Sequence, residues 1–355
     1  MSEFVIRQAT ADDRGHIIRL MANVYSGDGA ARYDWLYRDN PHGSALTWLA
    51  IESDSTEAVG CTSIFPRRVR VAERERLGSI GGDCYIEPRV RRRGLATQLH
   101  VASFAGMREA GIEFMYGPPT PNNLGALVKA GSHLVTSYRR WVRPLTSHGV
   151  YQAAFSRVPT KFGARLAGLP ILMLDHLTKG DAHGFTVSEI FEFGDEFDAL
   201  FATAAATHPV ACVRDRAYLA WRYRSGRQTA LAVRRDGELV GFFTIEKSGN
   251  EAAIMDIFSP NDPRLIDALL RLLIDYATQW GCARLELCMT EGCAVARRLL
   301  RHGFIARDER GFQVAVADQD AQAALLRAPS SWHLTEADQD LETVFVQAVA
   351  GYSER

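Results

Sequence analysis

The sequence lacks the features that mark several common function classes. Its 41 Lys and Arg are balanced by 42 Asp and Glu, for a formal net charge of -1. No overall field therefore draws it to nucleic acid or to an anionic membrane. The six cysteines (Cys61, Cys84, Cys212, Cys282, Cys288 and Cys293) include no CxxC pair. No histidine cluster stands at zinc spacing either, so no metal is expected. The cysteines read as free, partly buried thiols in a reducing cytoplasm. The first residues show no basic stretch followed by a long apolar run, so no signal peptide is expected, and the expected location is cytoplasmic. The apolar run 166–177 is too short to span a bilayer and reads as a buried helix or connector. No membrane insertion is expected.

What is present is ordinary globular chemistry: 355 residues, 47% hydrophobic and 23% charged. At about 150 residues per domain, that length suggests two domains. Residues 4–7 alternate like a strand. Thr10 with Asp13 forms a capping-box signal ahead of a helical pattern at Ile17, Leu20, Met21 and Val24. Strands are expected over 45–51, 59–65 and 76–86. A helix follows over 94–108, with Leu95, Leu99 and Ala102 on one face. Then come a strand over 112–116, a helix from Pro121 to near Gly131, and a strand over 135–142. This order indicates an α/β domain over 1–145. The less regular stretch 146–184 is expected to hold connecting helices, and 185–355 a second domain.

The second half echoes the first. Trp35-Leu36-Tyr37-Arg38 returns as Trp221-Arg222-Tyr223-Arg224, and Glu57-Ala58-Val59-Gly60 as Glu238-Leu239-Val240-Gly241. Asp83 and Asp256 each precede an amphipathic helix, marked by Leu95, Leu99 and Ala102 in one copy and Leu265, Leu269 and Leu272 in the other. Four matches in the same order indicate an internal duplication of one domain. The aromatic pairs Trp35 with Tyr37 and Trp221 with Tyr223 are candidates to line a pocket. Because both copies have them, core packing is the better account.

The segment carrying the most chemistry is Ile86-Glu87-Pro88-Arg89-Val90-Arg91-Arg92-Arg93-Gly94-Leu95-Ala96-Thr97. A strand ends, a basic loop with a glycine follows, and a helix starts. The unpaired N–H groups of a helix start bind phosphate. Gly94 and Ala96 let the main chain approach it, and the arginines add charge at the rim. An arginine run is more often a solvated face, and a nucleic-acid contact or a simple turn glycine also fits. The placement between strand and amphipathic helix favours an anion site.

These residues resemble the Arg/Gln-x-x-Gly-x-Gly/Ala motif of the GNAT (GCN5-related N-acetyltransferase) superfamily. The resemblance implies two tandem GNAT-like domains, each a mixed, mostly antiparallel central sheet flanked by helices. It implies acetyl-CoA, or another acyl-CoA, as cosubstrate. Arg91, Arg92, Arg93, Gly94, Leu95, Ala96 and Thr97 would hold its pyrophosphate. The main chain of Cys84, Tyr85 and Ile86 would pair with the pantetheine arm, and Asn123 matches the family's Asn at the next helix start. The tandem arrangement and the ending Trp332-His333-Leu334-Thr335, with Asp338 and Asp340, look similar to GNAT proteins of bacterial polysaccharide and sugar-modification pathways.

The second copy departs from the motif. Its loop, Ile257-Phe258-Ser259-Pro260-Asn261-Asp262-Pro263-Arg264, has no glycine, two prolines and an acid, a poor phosphate cradle. The second domain is therefore expected to bind no CoA. The family's usual acid, a tyrosine four residues before the glycine of a Gly-Phe turn, falls on Leu127. Tyr138 and Tyr116 are substitute candidates, and Asp83 is a candidate base, although its counterpart Asp256 favours a structural role. The implied activity is N-acylation of a small-molecule amine such as an amino sugar. The alternatives are an acyl-CoA-binding module without turnover and a protein or peptide N-acetyltransferase.

Overall fold

The computed structural model describes residues 3–146, 182–317 and 319–340. The segment expected to connect two domains lies, apart from its ends, outside the described residues. The chain divides into two compact units, residues 1–137, 310–328 and 338–355, and residues 138–309 and 329–337.

The first unit is built on the antiparallel strands β1 (Phe4–Gln8), β2 (Leu46–Glu52), β3 (Ala58–Val71) and β4 (Arg74–Ile86), in that spatial order. The parallel strand β5 (Phe114–Gly117) follows β4. The expected capping box is present: Thr10 and Asp13 bond reciprocally ahead of helix α1 (Arg14–Met21). Asp13 is also gripped by Arg7 at 2.7 Å, which holds its carboxyl well below the usual range. Helix α2 (Gly29–Tyr33) runs into a π-helical turn, Asp34–Arg38, that buries Trp35, Leu36 and Tyr37. The amphipathic helix α3 (Leu95–Glu109) lays Leu95, Leu99, Phe104 and Met107 on Trp48, Ala50, Val59, Ile64 and Met115. Helix α4 is Pro121–Lys129. Because successive strand residues face opposite sides, Phe65 turns away from α3 and meets the edge of the Tyr37 ring.

The second unit repeats this plan with strands β7 (Phe185–Ile190), β9 (Thr229–Arg235), β10 (Glu238–Ser248) and β11 (Glu251–Phe258) in antiparallel order. Strand β12 (Arg284–Thr290) lies parallel to β11. Helix α5 (Asp195–Ala205), the short strand β8 (Val210–Cys212) and helix α6 (Arg216–Arg222) precede β9, and α7 (Pro263–Gln279) joins β11 to β12. Leu269, Leu270, Leu273 and Ala277 of α7 pack on Leu231, Phe243, Ile254 and Leu287. Matching strand order, helix placement and core positions agree with a duplication. Among the described residues no helix is long and apolar enough to cross a membrane.

The two units are not continuous in sequence: the second begins at Tyr138, within a strand, and the first takes up residues 310–328 and 338–355 again. Strand β6 (His133–Pro144) follows α4, yet its residues from Tyr138 onward pair with β12 of the second unit. Strand β13 (Ile305–Val316) follows the short helix α8 (Ala296–Leu299) of the second unit, yet Gln313–Val316 pair with β5 of the first. Strand patterning marks the first of these segments but not its partner, since pairing register is a tertiary property.

A chain ending at Leu145 therefore loses the partner of β5 and the ion pair between Arg76 and Asp320. It should show no cooperative thermal transition by circular dichroism. A transition within a few degrees of the full chain's would rule out the exchange as a stability requirement.

Candidate functional site

Strand β4 pairs with β5 only through Gly78, Ser79 and Ile80, opposite Phe114, Met115 and Tyr116. Strand β5 ends at Gly117, and Pro118-Pro119 follow, which carry no N–H for a ladder. Residues 81–86 of β4 thus run on with β3 on one side and no strand partner on the other among the described residues. The Glu87 N–H bonds to the Val59 carbonyl at 2.9 Å, so strand alternation turns the main-chain groups of Ile86 and Cys84 to the open edge. These are among the groups expected to meet a pantetheine arm. Tyr85 sits in the same stretch, with Arg91 over its ring.

The edge leads into the loop 91–97. Gly94 is the N-cap of α3 with φ +79°, and no side chain caps the helix. The helical ladder begins with Gln98 N–H to the Gly94 carbonyl at 3.1 Å, which leaves the N–H groups of Leu95, Ala96 and Thr97 outside it. An uncapped helix start with a left-handed glycine offers free N–H donors and the positive end of the helix dipole. The arginines divide the work. Arg91 donates to the Ile86 carbonyl at 2.9 Å and so braces the loop. Arg93 pairs with Glu3. Arg92, exposed and itself at φ +63°, makes no ion pair among the described residues and is the one best able to reach a phosphate.

Asn123 shares a 2.9 Å hydrogen bond with His100 of α3, tying α4 to the helix that the cradle opens. Burial lowers the His100 pKa, with Asn123 partly opposing. Cys84, in the open edge, has its thiol pushed up to about 12 by burial. It stays protonated and is no nucleophile.

Beneath the edge lies a buried polar cluster. Asp83, whose side chain is wholly buried, is held by Arg32 through bonds of 2.7 and 3.0 Å and accepts from the Tyr37 hydroxyl at 2.6 Å. Burial opposes the Arg32 charge, but Asp83 overrides this and keeps its pKa well above the usual value. Burial, then Asp83, pushes Tyr37 up. Asp83 therefore does structural work here. The second expected catalytic residue, Tyr138, belongs to the second unit, where its hydroxyl donates to the Cys288 carbonyl at 3.2 Å. Tyr116 is fully buried in the first unit. Arg32 was not legible as a partner of Asp83. The equivalent pair in the second unit, Arg214 with Asp256, has the arginine at a different spacing from the Trp-x-Tyr segment.

The second unit has the same divergence but no opening. Strands β11 and β12 pair only from Glu251 to Ile254. Beyond that point the buried segment Trp332–Thr335 occupies the gap. His333 bonds the Ile257 carbonyl at 2.9 Å, Thr290 bonds the Trp332 and Leu334 carbonyls, and Thr335 bonds Asp256 at 2.8 Å. The helix start is closed too. Asp262 caps α7, accepting from the N–H groups of Arg264 at 2.7 Å and Leu265 at 3.1 Å. Among the described residues, no group of three or more His, Cys, Asp or Glu side chains is placed to hold a metal ion.

Comparison with known proteins agrees with the geometry of the first unit. A family described as "Acetyltransferase (GNAT) domain" matches residues 5–123. No curated protein matches the chain in sequence. Among solved structures, the chain is similar to a GCN5-related N-acetyltransferase from Anabaena variabilis, with a TM-score of 0.62 at 13% identity over 88% of this chain and 72% of that one. A GCN5-related N-acetyltransferase from Kribbella flavida gives 0.61 at 14% identity, over 95% and 82% of the two chains. N-myristoyltransferase from Saccharomyces cerevisiae, solved with bound myristoyl-CoA, gives 0.56 at 12% identity, over 89% and 79%. At these identities the likeness is one of fold.

A Cβ at Gly94 would meet only Gln98, at 3.8 Å, so the protein itself has room for a side chain there. The left-handed φ costs a non-glycine residue about 1–2 kcal/mol. Gly94→Ala should therefore fold and weaken acetyl-CoA binding modestly. Gly94→Glu should weaken it by about 100-fold or more, since a carboxylate then faces the phosphates. Equal, wild-type-like affinity of both variants by calorimetry would displace the cradle from this loop.

Proposed function

We propose that this chain, whose residues 5–123 form a GNAT acetyltransferase domain, transfers the acetyl group of acetyl-CoA to the amine of a small molecule, using one CoA site per chain. The observation that carries this reading is the open edge of β4 over 81–86, running into the uncapped start of α3 at Gly94. The edge offers amide and carbonyl groups to a pantetheine amide chain, and the helix start offers positive potential to a pyrophosphate. A protonated Cys84 leaves no thiolate in the slot to carry a covalent acyl group. Direct attack of the amine on the thioester is the route that fits, with catalysis largely by positioning.

Two features support a single site. In the second unit the strand gap is filled by Trp332–Thr335, and its helix start is capped by Asp262. An acyl-CoA binder without turnover draws support from the locked state of Asp83 and from the Tyr138 hydroxyl being engaged with Cys288. A CoA-release assay against a panel of primary amines decides between the two readings.

Calorimetric titration of the full chain with acetyl-CoA should give one site per chain. Gly94→Glu should weaken binding at that site by about 100-fold or more. A stoichiometry of two, or residual full-affinity binding in the variant, would overturn the single-site reading.

A further inference from the structure

The chain returns to the first unit at Asp338, after its segment in the second. Two residues later, Asp340 lies against Gly82. A Cβ added to Gly82 would land on the Asp340 carboxylate, so that carboxylate rests directly on the β4 backbone at the start of the open edge. The face it occupies can be assigned. A Cβ on Gly81 would meet Met115, in the core under α3, whereas the Gly82 position meets Asp340 and Phe65. Phe65 packs on Tyr37. Asp340 is thus on the α2 side of the sheet, opposite α3 and its anion cradle. Its main-chain carbonyl accepts from Arg32 at 3.3 Å, which holds the segment in place. Its side chain is set among Arg32, Asp83 and Tyr25, and the Arg32 guanidinium lies 4.1 Å over the Tyr25 ring.

We propose that Asp340 is the general base of this site, taking a proton from the acceptor ammonium. The inference rests on the acyl-transfer reading above. A thioester laid along 81–86 from the α3 side leaves the α2 side for the acceptor, and the half-buried Asp340 is the carboxylate that meets it there. Asp83 is wholly buried and anchors the site, whereas Asp340 is only half-buried. The step balances as follows. Asp340 accepts one proton from the ammonium, and the freed nitrogen lone pair attacks the thioester carbon. The C–N bond forms and the C–S bond breaks. The departing thiolate takes the nitrogen's second proton, giving the amide and CoA. Asp340 then returns its proton to solvent. The missing Cβ at Gly82 is what admits the carboxylate so close to the strand.

The test uses the full chain, with acetyl-CoA as donor and two nucleophiles that differ in protonation. n-Butylamine is an ammonium at neutral pH and needs a base; hydroxylamine is uncharged and does not. Asp340→Asn should lower kcat/KM for n-butylamine by about 100-fold. The loss should shrink as rising pH deprotonates the amine. Hydroxylamine turnover and the calorimetric Kd for acetyl-CoA should stay near wild type, and Asp340→Glu should recover part of the n-butylamine rate. Equal losses with both nucleophiles, no loss with either, or loss of acetyl-CoA binding would each overturn the assignment. A wild-type chain that acetylates neither nucleophile would instead overturn the acyl-transfer reading itself.

Discussion

The buried ion pair between Arg32 and Asp83 is the constraint on which the site depends. Asp83 occupies a left-handed backbone conformation, φ +48°, at a register shift between β3 and β4. A residue other than glycine holds such a conformation only when its surroundings over-determine it. Here Arg32, Tyr37 and Ser63 do so, with the Tyr37 hydroxyl 3.2 Å from the Ser63 hydroxyl. Removing either charged partner leaves the other buried and unpaired, a loss of about 3–5 kcal/mol. The pair holds this conformation within the open edge, three residues beyond the last β4–β5 pairing at Ile80.

The second unit keeps the same device and uses it differently. Arg214 grips Asp256 at 2.9 and 3.1 Å, and Tyr223 bonds Thr244 at 2.9 Å, as Tyr37 neighbours Ser63. A register shift again falls beside the aspartate. Yet Arg214 and Asp256 are completely buried, and Thr335 completes their bonding. One scaffold thus yields a strand gap that is open in one copy and filled with the chain's own backbone in the other. The filling segment bonds the Ile257 carbonyl and the Thr290 N–H, and a buried polar group without a partner is costly.

The chemistry follows from what is kept neutral. Burial raises the Cys84 thiol, and burial together with Asp83 raises the Tyr25 and Tyr37 hydroxyls. None of the three supplies a nucleophile or a base at neutral pH. Beside the open edge this leaves fixed main-chain dipoles, an uncapped helix start and a carboxylate at Asp340. That set suits transfer between two positioned substrates without a covalent enzyme intermediate.

Local order was legible in the sequence wherever the cause is local. The Thr10–Asp13 capping box, the amphipathic faces of α3 and α7, and the strand–loop–helix transition at Gly94 depend on residues within a few positions of one another. The strand and helix order shared by the two halves was legible for the same reason, since similar elements carry similar patterns. Asp262 of the second loop, a cap signal in the sequence, does cap the helix that follows. The exchange of β6 and β13, the Arg32–Asp83 pair, the segment Trp332–Thr335 in the second gap and the carboxylate of Asp340 against Gly82 were decided only by tertiary structure. Each joins residues far apart in the chain. Strand pairing and buried charge partners are selected by the packing of the whole unit, and no periodicity or spacing within a segment encodes them.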